Sequence, residues 1–414
     1  MLLSDRSETH RPVTRAGPTA VTSVAVGSLG RIVTATAVSV TGLAPVFLVG
    51  ALSVFVRPDL GLTTAGLGIL VSLYWAASAV AAMPVGARLR RVDSRRALAL
   101  AAGLAALALA LMAVAPTAWV FGLGMVLSGA AGAVGQLAAA QFLADAIEPD
   151  RQGLAFGVKQ AATPAAMLLA GAAVPVAAVI VGWRYTYLAV ALGAAAVSVS
   201  VSVVARRRRA GKSDRSSSQV RARGFRRAPL VALSIAAACG AAVATGMAAF
   251  LVELVVARTA DTMLAGGLVV VGALASIVLR IAGGGFLDRR PGAAMPLTAG
   301  LMVVGGLALF GLSVASTPAV LVVLVVLAYG AGWGWPGLLI VTVVRRHPGA
   351  PAKSSSYLQA GSWVGGVVGP MTMGVLIGQL GHTPAWIAGA VVLMGAGIGV
   401  LVSARMNKAH WVTY

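Results

Sequence analysis

Lys159, Arg280 and Glu253 are ionisable side chains set inside long apolar runs. A charge in such a run is costly to bury, so each is a functional suspect by default. Lys159, beside Gln160, suits a contact to a small anionic or zwitterionic molecule. The plainer alternative is a lysine whose stem reaches back to an interface. Arg280 is either a second such contact or a partner to a helix end or to Asp288. Glu253 is a gate or proton site, or else an interfacial charge. Asp145 and Glu148 stand beside a polar turn, where Arg151 or Lys159 can pair with them. Gln136 falls in mid-run, where an amide without partners costs about 2–7 kcal/mol, so it needs another helix or a ligand. Tyr74, Trp75, Trp333, Trp335 and Trp363 line a cavity or pack, and Gln359 echoes Gln160. No enzyme motif accompanies them. Cys239 is the single cysteine, which leaves no disulfide framework and no thiolate metal site. There is no His-Glu-x-x-His, no Gly-x-Ser-x-Gly and no Gly-Lys-Ser/Thr phosphate loop. The expectation is a protein that is not an enzyme and needs no metal or cofactor.

What must position these residues is a set of membrane helices. The chain is 59% hydrophobic and only 10% charged, and its mean hydropathy is +0.91. So few charges cannot cover a water-soluble fold of this size. The net charge of +21 lies in short segments between apolar runs, which argues against a nucleic-acid partner. Crossing about 30 Å of hydrocarbon takes about 20 helical residues. The runs predict spans near 32–56, 65–87, 97–115, 118–145, 154–181 and 185–205. A second set follows near 229–256, 263–287, 294–314, 318–344, 355–379 and 384–404. Between the sets lies a basic, Ser-rich linker, 206–228, that cannot enter hydrocarbon. Residues 1–30 read as a disordered cytoplasmic tail without a signal-peptide pattern, and 405–414 as a second tail.

Charge asymmetry orients the bundle. Arg88, Arg90, Arg91, Arg95 and Arg96, Arg151, the linker, Arg289, Arg290, Arg345, Arg346, Lys353, Arg405 and Lys408 fall on one side. Only Arg57, Arg184 and Arg258 fall on the other. The basic side is the cytoplasmic one, so both termini are expected inside. The halves also echo each other. PVGARLRRVDSRRA ends the second span, and GGGFLDRRPG ends its counterpart after the linker. Fourth spans share Gly-rich stretches, and fifth spans share a Gln-Ala pair at Gln160 and Gln359. Such parallel repeats describe a secondary transporter. Pro45, Pro164, Pro175, Pro336 and Pro370 are placed to bend spans, and Gly361 with Gly365 suits close helix contact.

With these features the chain, from about residue 30 to 404, resembles the major facilitator superfamily. The residues carrying the likeness are the loop after the second span, Gly284-Gly285-Phe286-Leu287-Asp288-Arg289-Arg290, Gly182-Trp183-Arg184 and the basic linker. The resemblance implies an all-α membrane protein of twelve helices in two pseudo-symmetric six-helix bundles, working by alternating access. It implies a cytoplasmic gating motif built from Gly86, Arg90, Arg91, Asp93, Arg95, Arg96, Gly284, Asp288 and Arg289. The family pattern for that loop, Gly-x-Leu-x-Asp-Arg-x-Gly-Arg-Arg, is met at Gly86 and Arg91. Arg90 stands where the acid belongs and Asp93 where the second glycine belongs, although the second copy has its acid, Asp288. Met125 replaces an arginine common in proton-coupled members. The fifth span reads KQAATPAAMLLAGAAVPV instead of the antiporter's Gly-Pro signature. These departures count against a drug/proton antiporter.

The function expected is a secondary transporter in the plasma membrane, monomeric, moving a small anionic or zwitterionic organic solute, with a proton as a possible coupling ion. A proton-coupled multidrug efflux antiporter is the first alternative, and a non-transporting membrane receptor or scaffold the second.

Overall fold

The computed structural model describes residues 18–89, 92–147, 152–207, 227–346 and 351–408. Backbone groups in lipid must all bond internally, so apolar runs become helices that satisfy themselves. Before the linker come α1 (Pro18–Ala51), α2 (Ser53–Asp59), α3 (Thr64–Leu89), α4 (Ser94–Ala113) and α5 (Ala118–Ala146). They are followed by α6 (Gln152–Gln160), α7 (Ala162–Val176) and α8 (Gly182–Arg207). After it come α9 (Arg227–Thr259), α10 (Thr262–Arg289), α11 (Ala294–Val314), α12 (Pro318–Arg346), α13 (Pro351–Leu380) and α14 (His382–Lys408). Among the described residues, 11 helices are long and apolar enough to cross a membrane.

The twelfth crossing is present in pieces. The span expected over 154–181 is α6, then α7, then a π turn at Ala177–Val181. Proline explains the first break. Pro164 has no N–H to give the carbonyl of Gln160, and its ring crowds that carbonyl. The chain tightens there instead, with the Ala161 N–H donating to Val158 O at 3.0 Å. The second break follows Pro175 and ends at Gly182, whose φ of 78° needs a residue without Cβ. One expectation for the start of the chain also changes. Helix begins at Pro18, inside the stretch expected to be a disordered tail.

Short polar caps turn the chain between helices. Thr117 Oγ1 accepts from Val120 N, Asp261 Oδ1 from Leu264 N and Asp93 Oδ1 from Arg95 N. Within the first half, α4 packs on α5 and α8, α3 packs on α5, and α1 packs on α5 and α7. Within the second, α13 packs on α9, α11 on α14 and α12, and α10 on α12. The halves meet where α3 lies on α13, α7 on α10, and α1 and α2 on α9. The α9–α13 seam is the closest-packed. A Cβ on Gly361, Gly365 or Gly369 would stand 2.1, 2.0 and 2.1 Å from the carbonyl oxygens of Ser234, Ala238 and Ala242. Glycines four apart on one helix thus admit backbone four apart on the other.

The hydrogen bonds and close glycine contacts joining the halves lie away from the linker. Ser72 Oγ donates to Val367 O at 2.6 Å. A Cβ on Gly68 would meet Pro370 O at 2.3 Å, one on Gly374 would meet Thr64 O at 2.7 Å, and one on Gly171 would meet Val270 N at 2.9 Å. Among the described residues, the halves are joined by these contacts toward the linker-distal end.

Candidate functional site

Lys159 sits near the end of α6 and is 8% exposed. Its ammonium donates to Gln136 Oε1 on α5. That bond satisfies the mid-helix amide that needed a partner. Neither of the ion pairs Arg57–Glu253 and Arg184–Asp59 involves Lys159. Glu148 and Arg151 lie outside the described residues.

Arg280 lies in α10 and is half-buried. Its Nη2 donates to the carbonyl of Trp333 on α12 at 2.9 Å, and its Nε donates to Ser276 Oγ at 3.3 Å. Pro336, within α12, cannot donate to the carbonyl of Gly332, one residue before the oxygen that Arg280 takes. Arg280 is therefore anchored by neutral partners. The side chain of Asp288 lies outside the described set.

Lys159 and Arg280 lie one in each half, both on the linker side of the contact in which Gly171 of α7 meets Gly266 and Val270 of α10.

Aromatic rings gather where the halves meet. Phe47 of α1 meets Trp333 edge-on at 5.8 Å, across the halves, and Tyr329 lies 6.0 Å from Trp333. Trp75 abuts Gly366 of α13, and its indole N–H has no partner. Two of the aromatics take the packing alternative. Tyr74 is 1% exposed and donates to Gly42 O at 2.8 Å, and Trp335 is 2% exposed and wedged against Gly240. Trp363 is half-buried, while Gln160 and Gln359 are exposed on α6 and α13 and join neither cation.

Glu253 belongs elsewhere. It is 7% exposed on α9, and its Oε2 accepts from Arg57 Nη1 of α2 at 2.8 Å, so the pair bridges the halves at the sealed end. Its Oε1 and the nearby Ser53 Oγ have no partner. Arg57 entered the sequence reading only as a loop charge, and this partnership was missed. A second clamp was missed as well. Asp59 Oδ2 accepts from Arg184 Nη2 at 2.8 Å and from Trp183 Nε1 at 3.2 Å, and Arg184 also donates to Ala115 O at 2.7 Å. The motifs Arg57-Pro58-Asp59 and Gly182-Trp183-Arg184 held the signal for both.

At the linker end, Asp93 caps α4, and Arg95 lies over the Phe142 ring at 5.8 Å. Arg96, Gly284 and Arg289 are exposed, and Gly86 lies in α3. Arg90 and Arg91 lie outside the described residues.

Residues 28–370 match the sequence profile of the Major Facilitator Superfamily. Among curated proteins, no match is found. Several solved structures share the fold. A bacterial homolog of the human lysosomal transporter Spinster, inward-facing and occupied, aligns with TM-score 0.73 at 16% identity, over 90% of this chain and 96% of that one. A peptide transporter, POT, aligns with TM-score 0.74 at 14% identity, over 91% and 94%. The nucleoside transporter NupG aligns with TM-score 0.70 at 14% identity, over 91% and 100%. At these identities the likeness is one of fold.

Proposed function

The chain belongs to the Major Facilitator Superfamily, and from that premise we propose that it carries a small anionic or zwitterionic organic solute across the plasma membrane by alternating access. One observation carries the choice of solute. Lys159 and Arg280 stand one in each half, with neutral hydrogen-bond partners and donors to spare. In this reading solute enters from the linker side and meets both cations beneath the Phe47–Trp333 contact. Rocking then closes the linker end and breaks the linker-distal seal. In this reading the linker and both termini lie in the cytoplasm, as the basic loops require. The protein works as a monomer.

The test is flux in liposomes, after a thermal-shift screen for solutes, with and without a pH gradient. Lys159→Ala is expected to insert normally and to lose most transport. Wild-type flux in that variant would remove Lys159 from the site.

A second reading draws support from Glu253, a buried carboxylate with one oxygen unbonded. It is a proton-coupled efflux antiporter in which Glu253 takes the proton. Loss of drug resistance in Glu253→Gln, with resistance kept in Lys159→Ala, favours that reading.

A further inference from the structure

We propose that His382 is a proton-operated latch on the linker-distal end. Neutral, it lets the halves stay shut there; protonated, it drives them apart. The device needs no solute, so it stands or falls separately from the transport reading above.

His382 is the first residue of α14, just after Gly381 with its φ of 86°. Arg258, in the last turn of α9, fixes that turn of chain. Its Nη2 donates to Thr383 Oγ1 at 2.7 Å and to Ser313 O, which also accepts from Thr383 Oγ1 at 3.0 Å. The ends of α9, α11 and α14 are thus tied at one point, with the histidine next to the tie. Its Nδ1 is buried and has no hydrogen-bond partner.

Among the described residues, the charges acting on the ring are Arg258 of its own half and Arg57 of the other. Around this corner α9 also carries Glu253, five residues before Arg258, whose Oε2 is already held by Arg57. No ionisable side chain lies on α11. Lys353 and Tyr357 of α13, with Arg405 and Lys408 of α14, lie toward the linker end. Asp59 is exposed and held by Arg184, and Asp261 is exposed and caps α10. A proton on His382 therefore adds a third positive charge to a corner with one buried carboxylate.

The placement gives that charge a direction. Arg258 and His382 belong to one half, so their repulsion moves neither half. Arg57 stands on α2 of the first half, and its repulsion from a protonated His382 acts across the seal. A packed helix interface screens it less than water would. Parting the halves carries Arg57 away and relieves it. The open form then binds the proton more readily than the sealed form, so falling pH favours opening. Histidine changes charge near pH 6.5 in the ordinary case, within the range an outer surface meets. Acid at the linker-distal side therefore opens that end.

Label separation tests this without relying on thiol reactivity, which itself varies with pH. Spin labels at Pro116→Cys, before α5, and Ser316→Cys, before α12, are exposed and stand one in each half. They are read in a Cys239→Ser background in lipid nanodiscs. Between about pH 7.5 and about 5.5 the widely separated fraction is expected to rise roughly tenfold, the equivalent of one pKa unit. His382→Gln is expected to stay narrow at both pH values. His382→Lys, with a permanent charge, is expected to be wide at both. Glu253→Gln is expected to be wider at pH 7.5 than its parent and still to respond to acid. Arg57→Gln/Glu253→Gln removes the clamp and the repulsion together and is expected to ignore pH. A parent that ignores pH, a narrow His382→Lys, or a full response in His382→Gln or in the double variant overturns the proposal. A response kept in His382→Gln and lost in Glu253→Gln assigns the proton to the carboxylate instead.

Discussion

At Glu253 the chain keeps a carboxylate in a packed helix interface and gives it one partner. Arg57 is 27% exposed and Glu253 7%, so the ion pair is shielded on the glutamate side and wet on the arginine side. Removing one partner of a fully buried pair costs about 3–5 kcal/mol, and water at Arg57 places this one at or below the lower end. Because the pair spans the halves, that cost falls on the sealed state alone. Glu253→Gln is therefore expected to loosen the linker-distal end. The readout is maleimide labelling of Ser72→Cys, buried where α3 meets α13, in a Cys239→Ser background. Labelling is expected to quicken by about tenfold or more, equal to about 1.4 kcal/mol. The exchange Arg57→Glu with Glu253→Arg should restore slow labelling; fast labelling there would show that charge pairing is not what holds the end shut. Glu253 was legible as an acid in an apolar run. Its partner was not, because 196 residues separate them and only docking of the halves brings them together. Gln136 and Lys159 illustrate the same limit. Each was marked by polarity at its own position, yet periodicity along one helix says nothing of which neighbour faces it.

Among the helices, α13 shows how glycine decides packing. Alanine in place of glycine inside a helix ordinarily gains about 0.5–1 kcal/mol. The sign depends on what the new methyl meets. At Gly365 it would stand 2.0 Å from Ala238 O, which is backbone and cannot swing aside, whereas at Gly378 nothing lies within 4 Å. Gly365→Ala is expected to destabilise by about 1–3 kcal/mol through overpacking. Gly378→Ala is expected to be neutral or slightly stabilising. Thermal unfolding in detergent checks both, and equal midpoints would mean that the α9–α13 seam yields by sliding. The glycine spacing at Gly361 and Gly365 was readable in advance, because four-residue repeats mark one helix face. The breaks in the fifth crossing were half readable. Pro164 and Pro175 announced bends, but hydropathy runs across 154–181 without interruption and gave no sign of a π turn. Asp93, assigned to a gating motif by likeness, also caps α4, a local task that its place before Ser94 could have announced.

Taken whole, the molecule is two bundles joined tightly at one end. That arrangement followed from span lengths, the basic linker and repeated motifs, since lipid permits few alternatives to helices. Which end is sealed did not follow, because most of the residues that dock there are ordinary apolar side chains and glycines. If transport needs the sealed end to open, a bond across it must stop turnover. Ala65 of α3 and Gly374 of α13 are close: a Cβ on Gly374 would lie 3.3 Å from Ala65 Cα and 2.7 Å from Thr64 O, so a cysteine there requires a small shift of α13. That proximity falls within the reach of a disulfide, whose Cα atoms stand about 4.4–6.8 Å apart. Ala65→Cys/Gly374→Cys, in a Cys239→Ser background, is expected to cross-link under mild oxidant and lose flux in liposomes. Reductant should return it. The oxidised protein should still bind solute from the linker side, because that end remains open in the locked form. Binding with lost flux separates a blocked cycle from a damaged site. Undiminished flux in fully cross-linked protein would mean that solute crosses without the halves parting at α3 and α13, and alternating access in this chain would have to run through another seam.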